Sequence, residues 1–266
     1  MPEQDLHIAL IPLDMRLGER DFNLKLARAR IESLQHPVDL VLFPELMTTG
    51  FGEMKNGVAA HAESDHDVTI CTMCELSKEF DVAIYGGFIG KDEDKIYNRA
   101  FFISDGKPIA FYNKRHLFAG QEQRTFTRGE SLPPIITLKS WRLRPIICYD
   151  VRFPVWNRIK KNDYDAMLVI ANWPNSRSYA WQHLIIARAI ENQAYIAACN
   201  REGEDIYGTY QRGDSMIVNA LGMPVGSVAN DGNVYGKFDY KAFNTDRKNF
   251  QPWRVADDFN LNLVDK

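Results

Sequence analysis

Val38-Asp39-Leu40-Val41-Leu42-Phe43-Pro44-Glu45 is a short apolar run stopped by a proline, with a carboxylate directly after the stop. A run of this length, too short for a helix and bounded by a breaker, reads as a buried strand. Upstream, Glu19 to Gln35 carries Phe22, Leu26, Ala29 and Leu34 roughly at helical spacing, and His7 to Ile11 is another short apolar run. Strand, amphipathic helix, strand is the unit from which α/β sheets are built. The same punctuation continues down the chain. A helix is expected over His66 to Phe80 and a strand over Val82 to Phe88, and Asn98–Ser104 and Pro108–Asn113 flank Asp105-Gly106, a strong hairpin signal. Further strands are expected at Arg142–Cys148, Asp165–Ala171 and Ala194–Cys199. Between them lie a short helix after Pro154 and a longer one over Ser178–Gln193, and a late hairpin joins Ser215–Val218 to Val225–Val228 around Gly222. Alternation at the start with hairpins in the middle predicts a mixed sheet with helices on its faces. No linker or repeat divides the chain. One domain is expected over residues 1–266, with roughly 235–266 as an irregular arm in which Phe238, Tyr240, Phe243, Phe250 and Trp253 are scattered among charges.

Composition narrows the function classes. The 266 residues carry 32 Lys+Arg against 35 Asp+Glu, so the chain lacks the basic excess of a nucleic-acid binder. No apolar run approaches the ~18 residues of a membrane span. The acidic start, Met1-Pro2-Glu3-Gln4-Asp5, does not resemble a signal peptide, so a cytoplasmic protein is expected. Four cysteines are too few for a disulfide framework. Cys71 and Cys74 form a C-x-x-C, which suits a redox pair or half of a zinc site. The plainer reading places both on the buried face of the 66–80 helix beside Ile70 and Leu76. A structural zinc needs two further ligands at close spacing, and Cys148 and Cys199 stand apart from each other, so no metal is expected.

Three reactive side chains share one kind of position. Glu45 follows Val41-Leu42-Phe43-Pro44, Lys114 follows Ile109-Ala110-Phe111-Tyr112-Asn113, and Cys148 ends Pro145-Ile146-Ile147. Each stands at the carboxyl end of an expected strand, where α/β sheets bind ligands. Singly, each has an ordinary explanation: a turn cap, an exposed strand-end charge, a core thiol.

The local words add to this. Pro44-Glu45-Leu46-Met47-Thr48-Thr49-Gly50-Phe51 resembles the first signature of the nitrilase, or carbon–nitrogen hydrolase, superfamily. Tyr112-Asn113-Lys114-Arg115-His116-Leu117-Phe118 resembles its lysine motif, and Cys148-Tyr149-Asp150-Val151-Arg152-Phe153-Pro154 its nucleophile motif. Ala187–Gln193 and Gly213-Asp214-Ser215 with Gly222 resemble its downstream helix and hairpin. The matches run in family order over about residues 7 to 230. The resemblance implies a four-layer α-β-β-α sandwich, a homodimer paired through helices, and a Glu45–Lys114–Cys148 triad. It also implies a supporting second glutamate, for which Glu122 is the matching candidate. No cofactor is implied.

These residue types suit amide hydrolysis. An amide is a poor electrophile, so a covalent step helps, and a thiol of pKa about 8.5 needs a base at neutral pH. Glu45 can take that proton, while Lys114 and the backbone N–H of Tyr149 can hold the developing oxyanion. A rival Cys–His arrangement would draw on His116 or His183. The stretches Phe153–Arg158 and Ala171–Ser178 look most like the omega-amidase branch, which removes the terminal amide of small 2-oxo dicarboxylate monoamides such as 2-oxoglutaramate. Asn172, Trp173 and Tyr149 are candidate pocket residues. Arg177 is a candidate for binding the remote carboxylate, and Arg152 stands for the same role or for pairing with Asp150. The alternatives are an N-carbamoyl amino acid, deaminated glutathione or a nitrile as substrate, or a catalytically silent binding member of the fold.

Overall fold

The computed structural model describes residues 1–263; the last three positions of the expected arm, 264–266, lie outside the described residues. The first half runs β1 (Leu6–Leu10), α1 (Arg20–Glu32), β2 (Leu40–Leu42), α2 (Val68–Glu79), β3 (Ala83–Asp92), β4 (Lys95–Ser104), β5 (Lys107–Asn113) and α3 (Gln121–Thr125). It continues through β6 (Ile136–Leu138), β7 (Trp141–Ile147), α4 (Pro154–Asn157), β8 (Ala166–Ala171), α5 (Ser178–Asn192) and β9 (Tyr195–Asn200). Then come β10 (Gly203–Asp205), β11 (Gly208–Tyr210), β12 (Met216–Val218), β13 (Ser227–Val228), β14 (Val234–Phe238) and α6 (Tyr240–Asn249).

Two sheets pack face to face. One has the order β13-β14-β1-β2-β3-β4-β5, the other β12-β9-β8-β7-β6. In the first, β1, β2 and β3 are parallel, and β4 and β5 return antiparallel. In the second, β7, β8 and β9 are parallel. The period-2 alternation of a strand sorts the residues of the first sheet between two cores. Leu40 and Leu42 join Leu6, Ile8, Tyr85 and Phe102 against the second sheet. Val41 and Phe43 turn the other way, toward Leu24, Ala27 and Ile31 of α1 and Ile70, Met73 and Leu76 of α2. Trp181, Ile185 and Ala189 of α5 cover the outer side of the second sheet. The layers are therefore α-β-β-α, as expected. Tyr85 ties them together by donating its phenol to the carbonyl of Ile146 across the sandwich, at 3.1 Å.

Four local expectations are corrected. The arm over 235–266 is not irregular throughout: β14 pairs with β1, and α6 follows, capped by Asp239, whose carboxylate accepts from the N–H groups of Lys241 and Ala242. Phe243 of α6 buries itself against Trp141 and Tyr195 of its own chain. The late hairpin closes only at its tip, where Val225 N–H donates to the Ile217 carbonyl; β12 then pairs with β9 while β13 crosses to β14 in the other sheet. Cys71 is exposed and Cys74 only half-buried, because the buried stripe of α2 runs through Thr69, Ile70, Met73, Leu76 and Ser77. The strand expected at 82–88 runs on to Asp92 and forms one long hairpin with β4. Among the described residues, no helix is long and apolar enough to cross a membrane, and no cluster of three His, Cys, Asp or Glu side chains could hold a metal ion.

Candidate active site

Glu45, Lys114 and Cys148 come from three different strand ends and line one cleft. Glu45 lies just past β2, in a turn that crowds against β3. A Cβ on Gly87 would meet the Leu46 nitrogen at 2.8 Å and the Glu45 Cα at 3.2 Å, so this strand position must be glycine for the turn to sit where it does. Met47 N–H then donates to the Gly87 carbonyl at 2.7 Å. Lys114 follows β5 and is held by backbone bonds to Asn98 and Gly129. Cys148 stands at the elbow between β7 and a short 3₁₀ turn, with φ +44°, a left-handed conformation that a non-glycine residue adopts only when its surroundings enforce it.

The polar centre is buried and densely bonded. Lys114 Nζ donates to Glu45 Oε1 at 2.7 Å and to Glu122 Oε1 and Oε2 at 2.8 and 3.0 Å. Asn98 Nδ2 donates to Glu45 Oε1 and Glu122 Oε1, each at 2.7 Å. The second oxygen of Glu45 accepts from the Asn172 N–H at 2.9 Å, while the Asn172 amide donates back to the Glu45 carbonyl. Glu122 Oε2 accepts from the Phe118 N–H at 2.5 Å, which fastens the start of α3 to the same cluster. Both carboxylates are thus fixed from two sides.

Burial sets the protonation states. It pushes the Cys148 thiol well up, the Glu45 charge adds to the rise, and Lys114 only partly opposes it. Burial by itself would lower Lys114, but Glu122 and Glu45 outweigh it and hold the ammonium well above its ordinary range. Glu122 is raised by burial, against the pull of Lys114. The site at neutral pH therefore presents a protonated thiol and a fixed positive charge.

Of the candidates from the sequence, Glu45, Lys114, Glu122, Cys148, Tyr149, Arg152, Asn172, Trp173 and Arg177 all line this cleft. Neither candidate histidine does. His116 donates its backbone N–H to Asp150 Oδ1 at 2.9 Å, places Nδ1 2.7 Å from the same oxygen, and stacks on Phe153; His183 lies along α5 with Nδ1 against the Tyr179 carbonyl. Tyr112 takes the other oxygen of Asp150, so of the two alternatives for Arg152 the pairing with Asp150 does not form. Sequence reasoning missed Asn98, Phe51, Phe118, Tyr207 and Tyr210. Asn98 had left a signal, a polar residue in the same inward register as Ala100 and Phe102. Tyr207 and Tyr210 arrive on the β10–β11 hairpin, which overhangs the cleft and joins α3 through a 2.6 Å bond from the Tyr207 phenol to Gln121 Oε1.

Comparison with known proteins gives a consistent picture. The family described as carbon-nitrogen hydrolase matches residues 7–233. Omega-amidase YafV of Escherichia coli (strain K12) is 36% identical over 227 residues, which cover 84% of this chain and 86% of that protein. The 2-oxoglutaramate amidase of Bacillus subtilis (strain 168) is 30% identical over 220 residues, 81% of this chain and 83% of that one. Among solved structures, XC1258 from Xanthomonas campestris, a CN-hydrolase superfamily protein with an arsenic adduct in its active site, superposes with a TM-score of 0.90 at 32% identity, covering 98% of this chain and 100% of that chain.

Proposed function

Because the chain belongs to the carbon–nitrogen hydrolase family, we propose that it is a cysteine amidohydrolase releasing ammonia from small 2-oxo dicarboxylate monoamides such as 2-oxoglutaramate. The observation that carries the mechanism is the strained Cys148 elbow opening onto a cleft lined by Glu45, Lys114 and Glu122. The names of the E. coli and B. subtilis relatives support the substrate.

Each catalytic group has one task. The thiol is held protonated, so Glu45 removes its proton as Sγ attacks the amide carbon. The carbonyl electrons move to oxygen, and Lys114 Nζ and the Tyr149 N–H hold that oxyanion; one such donor is typically worth about 10²–10³ in rate. Glu45 passes its proton to the nitrogen, the C–N bond breaks, and ammonia leaves a thioester on Cys148. Water then attacks the thioester carbon, giving its proton to Glu45. The C–S bond breaks, and the proton returns to sulfur as the acid departs. Glu122 and Asn98 keep Lys114 and Glu45 in place throughout. Asn172, Trp173, Arg177 and Tyr149 contact the substrate.

The four free thiols suit a reducing compartment such as the cytoplasm. Pairing of two copies is supported by the exposed apolar side chains Tyr179 and Ile190 of α5 and by exposed Leu221 and Met223, which flank Gly222 where it packs against Ile190.

A substrate panel tests the activity. Ammonia release from 2-oxoglutaramate is expected to exceed that from glutamine, asparagine, an N-carbamoyl amino acid and a nitrile by at least about tenfold in kcat/KM, about 1.4 kcal/mol of discrimination. Preference for another member of the panel would keep the chemistry and overturn the substrate.

A further inference from the structure

Asp150 is a fully buried carboxylate, two residues past Cys148 in the 3₁₀ turn that follows β7. Three hydrogen bonds converge on it. Oδ2 accepts from the Tyr112 phenol at 2.7 Å, and Oδ1 accepts from the His116 backbone N–H at 2.9 Å. His116 Nδ1 lies 2.7 Å from the same Oδ1. A carboxylate only accepts, so Nδ1 carries the imidazole hydrogen. Tyr112 and His116 stand two residues before and two after Lys114. One carboxylate from the turn of the nucleophile therefore grips the segment that carries Lys114 from both sides.

The partners are themselves held by the segment that follows Cys148. Trp156 Nε1 donates to the Tyr112 phenol oxygen at 3.1 Å. The His116 ring stacks on Phe153 with centroids 3.7 Å apart and meets Trp156 at right angles. Asn157 Nδ2 donates to the Asp150 carbonyl at 2.7 Å. Burying a carboxylate is costly unless its oxygens are hydrogen-bonded, and here both are. Hydrogen bonds also fix direction, so this contact sets the orientation of the two segments as well as their separation.

The two groups assigned to the oxyanion sit on these two segments. Tyr149, which offers its N–H, directly precedes Asp150, and Lys114 stands midway between Tyr112 and His116. Tyr112, His116 and Asp150 do not line the cleft. We propose that Asp150, gripped by Tyr112 and His116, is the positioning residue of the oxyanion hole, fixing the Tyr149 N–H relative to Lys114 Nζ without touching substrate. The proposal rests on the amidohydrolase reading for the identity of the two donors. It makes His116 an orienting group rather than a base.

The test compares a ligand that fills the oxyanion hole with one that does not. With glutarate semialdehyde, Sγ of Cys148 adds to the aldehyde carbon, the carbonyl electron pair moves to oxygen and the thiol proton follows it. Glutarate binds without that step. Calorimetry, with Cys148→Ala protein as the blank, gives the ratio of the two affinities. In His116→Leu this ratio and kcat should each fall at least about tenfold, because a donor displaced by a fraction of an ångström loses most of its effect. The affinity for glutarate should stay unchanged. His116→Asn, whose side-chain amide can donate to Asp150 in place of Nδ1, should restore part of both losses, and Tyr112→Phe should lower both. Melting temperatures show that each variant is folded. Methyl methanethiosulfonate, which needs the thiol but has no carbonyl, should label the Cys148 peptide of wild type and His116→Leu at the same rate. An affinity ratio that survives His116→Leu and Tyr112→Phe would overturn the proposal. So would labelling that slows in step with the ratio, since the contact would then present the thiol and not the oxyanion donors. A wild type that hydrolyses no amide while the ratio still falls in His116→Leu would remove the proposed reaction and leave the positioning role standing.

Discussion

Cys148→Ala protein folds and releases no measurable ammonia: the rate falls by about 10⁴-fold or more, because what remains of the site can orient an amide but has nothing to attack it. The same position separates function from stability. At φ +44° a Cβ is strained, and in an L-residue the left-handed conformation costs roughly 1–2 kcal/mol. Glycine escapes that strain but loses more chain entropy on folding. Cys148→Gly should therefore be as inactive as Cys148→Ala yet more stable by about 1 kcal/mol in chemical denaturation. Equal or reversed stabilities would mean that the elbow is relaxed and that strain does not help present the thiol.

Lys114→Met is expected to cost both activity and stability. The ammonium is the shared partner of Glu45 and Glu122, all three being buried. Removing one member of a buried ionic cluster typically destabilises by about 3–5 kcal/mol, since the remaining charges have neither water nor a partner. The loss depends on pH. Glu122 is already raised by burial and would lose the neighbour that holds it down. A carboxyl whose folded pKa lies above its unfolded value binds more protons in the folded state, so stability is gained as pH falls. The melting-temperature gap between wild type and Lys114→Met should therefore narrow between pH 8 and about pH 5. A gap independent of pH would show that lost packing, not charge, causes the destabilisation.

The strand ends were legible as short apolar runs, but it was the resemblance of the words around them to a known family that singled out Glu45, Lys114 and Cys148. Glu45, Lys114 and Cys148 each follow such a run, and the sheets bring those ends to one cleft. Asn98 was legible in principle, from the inward register of β4. The hairpin bearing Tyr207 and Tyr210 was not: its strands have three residues each, too few for alternation, and pair mainly through their own backbone. Helix α6 escaped because it buries only Phe243 and Arg247, one apolar anchor in ten residues, and leaves no stripe to read. Cys71 was misplaced by one step of the helix, since the next residue after Ile70 lies about 100° around the axis. Arg152 shows a different limit. Its sequence neighbour Asp150 offered an obvious ion pair, but Tyr112 and His116 approach from elsewhere in the fold and take that carboxylate.

The proposed thioester on Cys148 is tested most directly by partitioning. Hydroxylamine competes with water for an acyl-enzyme, so a common intermediate gives one ratio of hydroxamate to acid whatever group has left. The expected result is that glutaramate, which lacks the ketone that hydroxylamine would convert to an oxime, and the corresponding methyl ester give the same ratio at each hydroxylamine concentration, although their rates differ. A ratio that depends on whether ammonia or methanol departs would mean that the two substrates share no acyl-enzyme, and it would contradict the assignment of Cys148 as the nucleophile.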